Sequence, residues 1–384
     1  MTRGVPLAWL QLKREKLRLL VALAGVAFAV TLIFMQLGFR TAMFKGAVRF
    51  HEALDGDLFL ISPTFDFLPQ PKSFSRRRLQ QALQWPGVES VTPIYLGLTL
   101  WKSPDTGKTR SIFLIGVDPA DPGVRLPGVS EQRDLIRRSD VVLFDHDSRP
   151  EYGAIAERLA AGSTVAGEVA NRRVFVQGLF SLGTSFGIDG SVLTSDMNFL
   201  RIDPTRQLGL IDVGVIRLAP GTDPAATRDA MRASLPNDVL VLTRADFIAR
   251  EQHYWDTSTP IGYVFTFGVI IGFVVGAIIV YQILFADVSD HLAEYATLKA
   301  MGYPDRYLFG VVFQEAIILA VLGFLPGLAI CVYLYRVAGE ATRLPMQLTA
   351  PTAASVLGLT VVMCCVSGAI ALRKIRSADP AEIF

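Results

Sequence analysis

Charged residues are scarce in this chain, and the two signs nearly cancel. Only 19% of its 384 residues are Asp, Glu, Lys or Arg, whereas 51% are hydrophobic, and the formal net charge is +2. A water-soluble domain carries about 25% charged residues, so this shortage indicates that part of the chain is dissolved in lipid. The near balance of charge gives no indication of a nucleic-acid partner.

Cysteine is also nearly absent. The three cysteines, Cys331, Cys364 and Cys365, lie in apolar runs near the C-terminus. No cysteine occurs between residues 40 and 260, so that region has no disulfides in whichever compartment it lies. Cysteine usage therefore does not decide the localisation, and the long uncharged runs must be used instead.

Four such runs are long enough to cross a membrane. A hydrocarbon core of about 30 Å requires about 20 apolar residues in a helix. The sequence predicts transmembrane helices at 19–39, 261–286, 307–335 and 352–372. The first run could be a cleaved signal peptide, but it exceeds the roughly 7–15 residues of a signal h-region and no cleavage site follows, which favours a retained anchor.

Basic residues flank the first and last runs. They are Arg3, Lys13, Arg14, Lys16 and Arg18 before the first, and Arg373, Lys374 and Arg376 after the last. The positive-inside rule places both termini in the cytoplasm of a multi-pass inner (plasma) membrane protein. Residues 40–260 and the short loop 336–351 then lie outside, and the loop 287–306 and the tail 373–384 lie inside. Residues 1–18 are predicted to form an amphipathic helix on membrane lipid, with a basic tail as the alternative.

The outer region, 40–260, is too long to be a loop. Short runs such as 58–61, 90–93, 111–117 and 213–218 predict strands, and 75–84, 150–161 and 224–235 predict helices. The predicted fold is therefore four transmembrane α-helices plus a large extracytoplasmic α/β (α+β) domain between helices 1 and 2. Residues 41–54 and 244–255 are predicted to continue the first two spans outward as helical stalks.

The predicted spans contain two notable features, a glycine repeat and an acidic residue. Gly268, Gly272 and Gly276 recur every four residues on one helix face, which predicts tight packing against the first span or a second copy of the chain. Glu315 lies in the third span, where an acid is costly. Either it has a function there, or it is solvated or paired with Arg306 near the inner interface.

Three motifs look catalytic. Gly-Lys-Thr at 107–109 resembles the end of a phosphate-binding loop, but Lys102 stands where the first glycine belongs and a strand follows, so a hairpin turn is predicted. Gly-Thr-Ser-Phe-Gly at 183–187 matches a serine-hydrolase pattern, although a turn follows it where a helix is needed. Asp-His-Asp at 145–147 could offer metal ligands but is expected to be a solvated polar turn. We predict no catalytic, cofactor or metal site in this chain.

A family resemblance rests mainly on residues 254–303, where the glycine-faced span is followed by LFADVSDHLAEYATLKAMGY at 284–303. This segment resembles the DevC family of ABC transporter permeases, within the FtsX/MacB-like group. The stretch 294–302 is similar to the cytoplasmic motif of that group, and Asp-Pro-Ala-Glu at 379–382 resembles its tail. The outer region is similar to a MacB-like periplasmic domain in fewer places, at 86–88, 115–119 and 198–199.

The resemblance implies a non-catalytic permease whose ATP and Mg²⁺ are bound by a separate ATPase subunit. The loop 287–306 suits such a partner, because a short amphipathic helix there could fill a groove. The predicted ATPase-docking residues are Leu292, Glu294, Tyr295, Leu298, Lys299, Met301 and Gly302. The alternative is a surface helix that packs only on its own spans.

The resemblance also implies how such a chain works. ATP-driven motion of the stalks would pass through the outer domain to a periplasmic membrane-fusion adaptor and an outer-membrane channel of TolC type. A homodimer is the expected assembly. DevC relatives are associated with glycolipid export, which makes a lipophilic cargo a hypothesis here. The alternative functions are an FtsX-like signalling scaffold that transports nothing and a membrane-anchored hydrolase that uses Ser185.

Overall fold

The computed structural model describes residues 16–377, so the predicted surface helix at 1–18 and the end of the tail at 373–384 lie largely outside the described residues. The chain divides into two compact units. The membrane unit comprises the segment ending at Thr41, Pro260–Gly339, and the segment beginning at Met346, and the outer unit comprises Ala42–Thr259 and Glu340–Pro345.

Within residues 16–377, four helices are long and apolar enough to cross a membrane. Span 1 is Lys16–Ala53, span 2 is Pro260–Asp290, span 3 is Asp305–Thr342 and span 4 is Ala350–Ser377. A shorter loop helix, Leu292–Ala300, lies between spans 2 and 3. The four predicted spans are therefore confirmed, and each helix extends beyond its uncharged run.

The outer unit contains eleven strands. They are β1 (Leu58–Ile61), β2 (Phe74–Ser75), β3 (Val88–Lys102), β4 (Thr109–Val117), β5 (Val141–Asp145), β6 (Val165–Val169), β7 (Arg172–Phe180), β8 (Ser191–Ser195), β9 (Leu210–Ile211), β10 (Val213–Leu218) and β11 (Leu240–Thr243). Its helices are Arg76–Leu83, Val129–Gln132, Ile155–Ala160, Asp196–Ile202, Pro224–Ser234 and Arg244–His253. This mixed composition confirms the predicted α/β (α+β) class.

Nine of the strands form one sheet in the order β11-β1-β10-β3-β4-β8-β5-β7-β6. The far end of β3 also pairs with β6, through Trp101 opposite Val169, so the six strands from β3 to β6 close into a barrel. Trp101 is fully buried, and a Cβ atom on Gly167 of β6 would overlap its ring. Gly167 is therefore needed for the closure, because only glycine leaves room for the indole.

The sheet buries both of its faces. Along β1, Leu58 and Leu60 belong to one hydrophobic cluster, whereas Phe59 and Ile61 belong to the cluster on the opposite face. Successive side chains of a strand point to opposite faces, so a strand covered on both sides is apolar throughout. This explains the unbroken run Leu-Phe-Leu-Ile that predicted a short strand at 58–61.

Two local predictions for the outer unit differ from the structure, and some of its elements were not predicted. The strand predicted at 90–93 is part of the much longer β3, and neither β6 nor the helix Asp196–Ile202 was predicted. The helix predicted at 150–161 divides into a 3₁₀ turn, Pro150–Tyr152, and the helix Ile155–Ala160. Gly153 separates them with φ of +111°, a conformation that ends a right-handed helix.

The two stalks also differ from each other. Span 1 continues without interruption to Ala53, as the sequence predicted. The second stalk was predicted as one continuous helix, which is wrong: Arg244–His253 is followed by a π-helical turn, Tyr254–Ser258, and then by extended Thr259. The cause is Pro260, whose ring disfavours helical geometry in the residue before it.

Candidate functional site

The loop helix Leu292–Ala300 contains Leu292, Glu294, Tyr295, Leu298 and Lys299 of the predicted docking set. The helix ends at a glycine, as its sequence indicates. Gly302 has φ of +87°, and the Tyr303 N–H donates to the Leu298 carbonyl at 3.1 Å. This is the left-handed helix end that glycine permits without strain, so the loop turns sharply toward span 3 at this residue.

The described docking side chains differ in exposure. Glu294 is exposed and Met301 is 63% exposed, whereas Leu292 and Leu298 are half-buried. Leu298 packs against a cluster formed by Val288 and Leu372 of spans 2 and 4. Part of its surface is therefore used within the chain, and the more accessible contacts in this loop come from Glu294 and Met301. The docking role of the whole set stays a prediction.

Two tyrosines that follow the loop helix were not among the docking residues predicted from the sequence. Tyr303 is 44% exposed and Tyr307 is 37% exposed, and their ring centroids lie 5.0 Å apart. Together with Met301 they form what we call the aromatic patch, which comprises these three residues. Exposed tyrosine and methionine are typical of the central part of a protein interface, and this enrichment could have pointed to them.

The glycines of span 2 face span 1 of the same chain. A Cβ atom on Gly268 would lie 2.3 Å from Gln36 Cδ. One on Gly276 would lie 2.6 Å from Ala29 Cβ of span 1 and 2.3 Å from Sδ of Met363 in span 4. A Cβ on Gly272 would lie 3.1 Å from Cγ1 of Ile33. The absent side chains therefore let span 2 approach span 1 closely. This packing within one chain accounts for the glycines, so a contact with a second copy is not needed to explain them.

Span 3 approaches span 1 in the same manner. A Cβ atom on Gly323 would lie 2.5 Å from Val26 Cβ, and one on Gly327 would lie 2.7 Å from Val30 Cγ1. The Tyr335 hydroxyl of span 3 donates to the Phe34 carbonyl of span 1 at 2.6 Å. Span 1 is thus held closely by two glycine-bearing helices, a role that the sequence pattern of span 1 itself does not indicate.

Glu315 of span 3 is fully buried, so the interpretation that solvent surrounds it is wrong. Arg306 is exposed, and the ionisable group that Glu315 faces is Asp287 of span 2. Asp287 is itself 6% exposed and lies 3.8 Å from Nη1 of Arg18 in span 1. Glu315 thus belongs to a cluster of ionisable side chains from spans 1, 2 and 3.

A second buried acid lies in the outer unit. Glu251 accepts hydrogen bonds from the Leu68 backbone N–H and from Nε1 of Trp255, each at 2.9 Å. Nε2 of His51, near the end of span 1, lies 3.7 Å from the Glu251 carboxylate. Burial raises the pKa of Glu251 to about 7 and lowers the pKa of His51 to about 3. These residues connect the outer end of span 1 to the helix Arg244–His253.

The hairpin and the polar turn have structural roles. Residues 103–108 connect β3 to β4 by a turn in which the Gly107 N–H donates to the Ser103 carbonyl at 3.0 Å, and Thr109 is the first residue of β4. Asp145 is the last residue of β5 and is fully buried, so the prediction of a solvated turn is wrong for this residue. It accepts the backbone N–H groups of Leu182 and Gly183, each at 3.0 Å, and its burial raises its pKa to about 6. Asp145 therefore fastens the loop that follows β7.

Ser185 lies in that same loop, within a stretch of residues 181–190 that has neither helix nor strand. Its hydroxyl accepts the Gly187 N–H at 3.3 Å. A nucleophile elbow requires a strand before the serine and a helix directly after it. The hydrolase alternative therefore lacks the backbone geometry on which it depends.

Comparison with known proteins agrees with this architecture. The family model of the MacB-like periplasmic core domain matches residues 19–234. The family model of the FtsX-like permease C-terminal region matches residues 265–380. An uncharacterized ABC transporter permease of Mycobacterium tuberculosis is 23% identical, over 98% of this chain and 97% of its own. A second one, from Mycobacterium bovis, is 21% identical over 97% of each chain.

Two solved structures resemble about half of the chain. The periplasmic region of MacB from Actinobacillus actinomycetemcomitans has a TM-score of 0.37 at 11% identity, covering 51% of this chain and 92% of its own. The extracellular domain of the noncanonic ABC-type transporter YknZ from Gram-positive bacteria has a TM-score of 0.34 at 12% identity, covering 49% and 99%. At these scores the likeness carries no functional argument. The match of the MacB-like model to more than half of the residues shows that this chain belongs to the MacB/FtsX-type family of ABC transporter permeases.

Proposed function

We propose that this chain is the permease subunit of an exporter that converts ATP hydrolysis by a separate ATPase into motion of its outer unit. The observation that carries the proposal is span 1, a single uninterrupted helix whose residues up to Thr41 belong to the membrane unit and whose residues from Ala42 belong to the outer unit. A helix of 38 residues is about 57 Å long at 1.5 Å per residue. A rod of this kind passes a displacement from one unit to the other.

In this proposal the ATPase acts on the loop between spans 2 and 3. The loop helix offers exposed Glu294, and the aromatic patch of Met301, Tyr303 and Tyr307 lies beside it in the sequence. A short helix with an adjacent aromatic patch suits a groove on a globular partner. ATP and Mg²⁺ are bound by that partner, and both termini of the permease lie with it in the cytoplasm.

The proposed assembly contains two copies of the permease, since paired ATPase subunits need paired docking loops. Span 2 has exposed hydrophobic side chains along most of its length. They are Tyr263, Val264, Phe267, Ile270, Ile271, Val274 and Ile278. This surface is available to membrane lipid or to the second copy.

The outer unit would then act on a periplasmic adaptor and, through it, on an outer-membrane channel. The resemblance to DevC favours a lipophilic cargo such as a glycolipid. The FtsX-like signalling scaffold is the competing function. An assay of cargo retained in a deletion strain separates the two, because a scaffold predicts no retained cargo.

A pair of insertions tests the transmission. Two glycines inserted after Thr41 interrupt the rod, whereas two glycines inserted after Thr106 only lengthen the hairpin turn. We expect the first insertion to abolish export while the ATPase still co-purifies, and the second to leave both unchanged. Undiminished export after the insertion at Thr41 would refute the proposal.

A further inference from the structure

The cluster around Glu315 has an unusual composition for the interior of a membrane unit. Glu315 has no exposed surface, and neither of its carboxyl oxygens meets a hydrogen-bond donor among the described residues. The group within hydrogen-bonding reach is the Asp287 carboxyl, which is itself an acceptor when ionised. Two ionised carboxylates cannot bond to each other, so a bond between these two side chains requires a proton.

Among the described residues, the other charged or titratable groups near the pair lie on the side of Asp287. Arg18 places Nη1 3.8 Å from Asp287 and Nη2 2.5 Å from Asp290, which is half-exposed. Nδ1 of His291 lies 3.7 Å from Asp287 and 3.0 Å from its backbone carbonyl. Asp287 is thus the carboxylate that Arg18 stabilises in its charged form.

Glu315 faces a different environment. The next residue, Ala316, packs with Leu284 of span 2 near Gly368 of span 4, and Val312, one turn earlier, contributes to the same apolar surface. Leu372 of span 4 and Val288 of span 2 complete it. With no described cation beside Glu315 and a carboxylate opposite it, two negative charges would meet in an apolar interior. Such pairs retain one proton between them.

We propose that Glu315 and Asp287 form a proton-binding site that fastens span 3 to span 2, with Arg18 of span 1 holding the Asp287 charge. The Glu315 carboxyl keeps its proton and donates it in a hydrogen bond to the Asp287 carboxylate. Removal of the proton leaves two adjacent carboxylates, whose repulsion separates the helices at this point.

The position of the site suggests what it regulates. Asp287 lies one turn and a half before the loop helix, and Glu315 lies in the third turn of span 3 after it. The site therefore joins spans 2 and 3, the two helices that the loop helix connects. If the ATPase docks on that loop, which rests on the proposed function, the protonated pair sets how far the two ends of the loop can move apart.

Infrared spectroscopy of the full-length protein in lipid nanodiscs tests the proton directly. The measurement is made at pH 8.5, where Glu251 and Asp145 of the outer unit are mostly ionised. We expect a protonated-carboxyl C=O band in the wild type that is absent in Glu315→Gln and is shifted or lost in Asp287→Asn. The control Glu340→Gln removes an exposed carboxylate and should leave the band unchanged.

The result that overturns the proposal is a spectrum at pH 8.5 in which Glu315→Gln removes no protonated-carboxyl band, or one in which Asp287→Asn leaves that band unchanged. A second measurement applies if a variant accumulates poorly. Raising the pH should lower the melting temperature of the wild type more than that of Glu315→Gln, and equal pH dependence contradicts the proposal. Neither measurement involves the ATPase, so the failure of this site and the failure of the proposed function are distinguishable.

Discussion

The buried pair His51 and Glu251 allows a sharp prediction about pH. The folded pKa of Glu251 is about 7 against an ordinary value of 4.5, so its contribution to stability is full below pH 4.5 and is lost as the pH rises through 7. The folded pKa of His51 is about 3 against 6.5, so its contribution is full above pH 6.5 and is lost as the pH falls toward 3. The two residues therefore act in opposite directions.

The magnitudes nearly cancel in the wild type. Between pH 5 and pH 8.5, ionisation of Glu251 lowers the free energy of unfolding by about 2–3 kcal/mol, from a pKa difference worth about 1.4 kcal/mol per unit. Over the same interval, from pH 8.5 down to 5, protonation of His51 lowers it by about 2 kcal/mol. Each single variant should expose the effect of the residue that remains.

The variants are Glu251→Gln and His51→Phe. Glu251→Gln also loses one acceptor for the Leu68 or Trp255 N–H, a cost of about 1–3 kcal/mol at every pH. Relative to the wild type, we expect Glu251→Gln to gain about 2–3 kcal/mol as the pH rises from 5 to 8.5. His51→Phe should gain about 2 kcal/mol as the pH falls over the same interval.

Thermal unfolding of the full-length protein, followed by tryptophan fluorescence at several pH values, measures these differences. For a unit of this size, 1 kcal/mol corresponds to about 2–4 °C, so the melting temperatures should diverge by about 5–10 °C. Asp66→Asn is the control, because Asp66 is an exposed carboxylate paired with Arg250 nearby. Parallel pH profiles for the wild type and both variants would show that burial does not govern these two groups.

Three further outcomes are expected. Gly276→Val should lower stability by about 1–3 kcal/mol in thermal unfolding, because its side chain would overlap Met363 and Ala29, whereas Gly358→Ala, which meets nothing within 4 Å, should have little effect. A Met301→Ala and Tyr303→Ala double variant should weaken co-purification with the ATPase while membrane insertion is unchanged, and full association would argue against docking on the aromatic patch. Ser185→Ala should retain full function in an export assay, since Ser185 lies in a loop without the elbow geometry, and a loss of function with an intact fold would revive the hydrolase hypothesis.

Sequence alone determined the features that depend on composition and local period. The length and apolarity of four runs are sufficient for four spans, because the thickness of a bilayer sets one requirement for every helix. The run Leu-Phe-Leu-Ile predicted a strand, and the segment 75–84 correctly predicted the helix Arg76–Leu83, whose N-terminus Ser75 caps. The spacing of Gly268, Gly272 and Gly276 likewise predicted a closely packed helix face.

Tertiary structure decided what those features meet. A four-residue period identifies which face of a helix is closely packed, but it does not identify the helix that packs there. Only the fold places Gln36 and Ala29 of span 1 against the glycines. The barrel depends on Trp101 filling the space left by Gly167, two residues that are distant in the sequence. Glu315 was recognisable as a costly acid, but Asp287 and Arg18, which determine its chemistry, come from two other helices. Contacts between distant segments are set by packing and electrostatics across the whole chain, and no local pattern contains them.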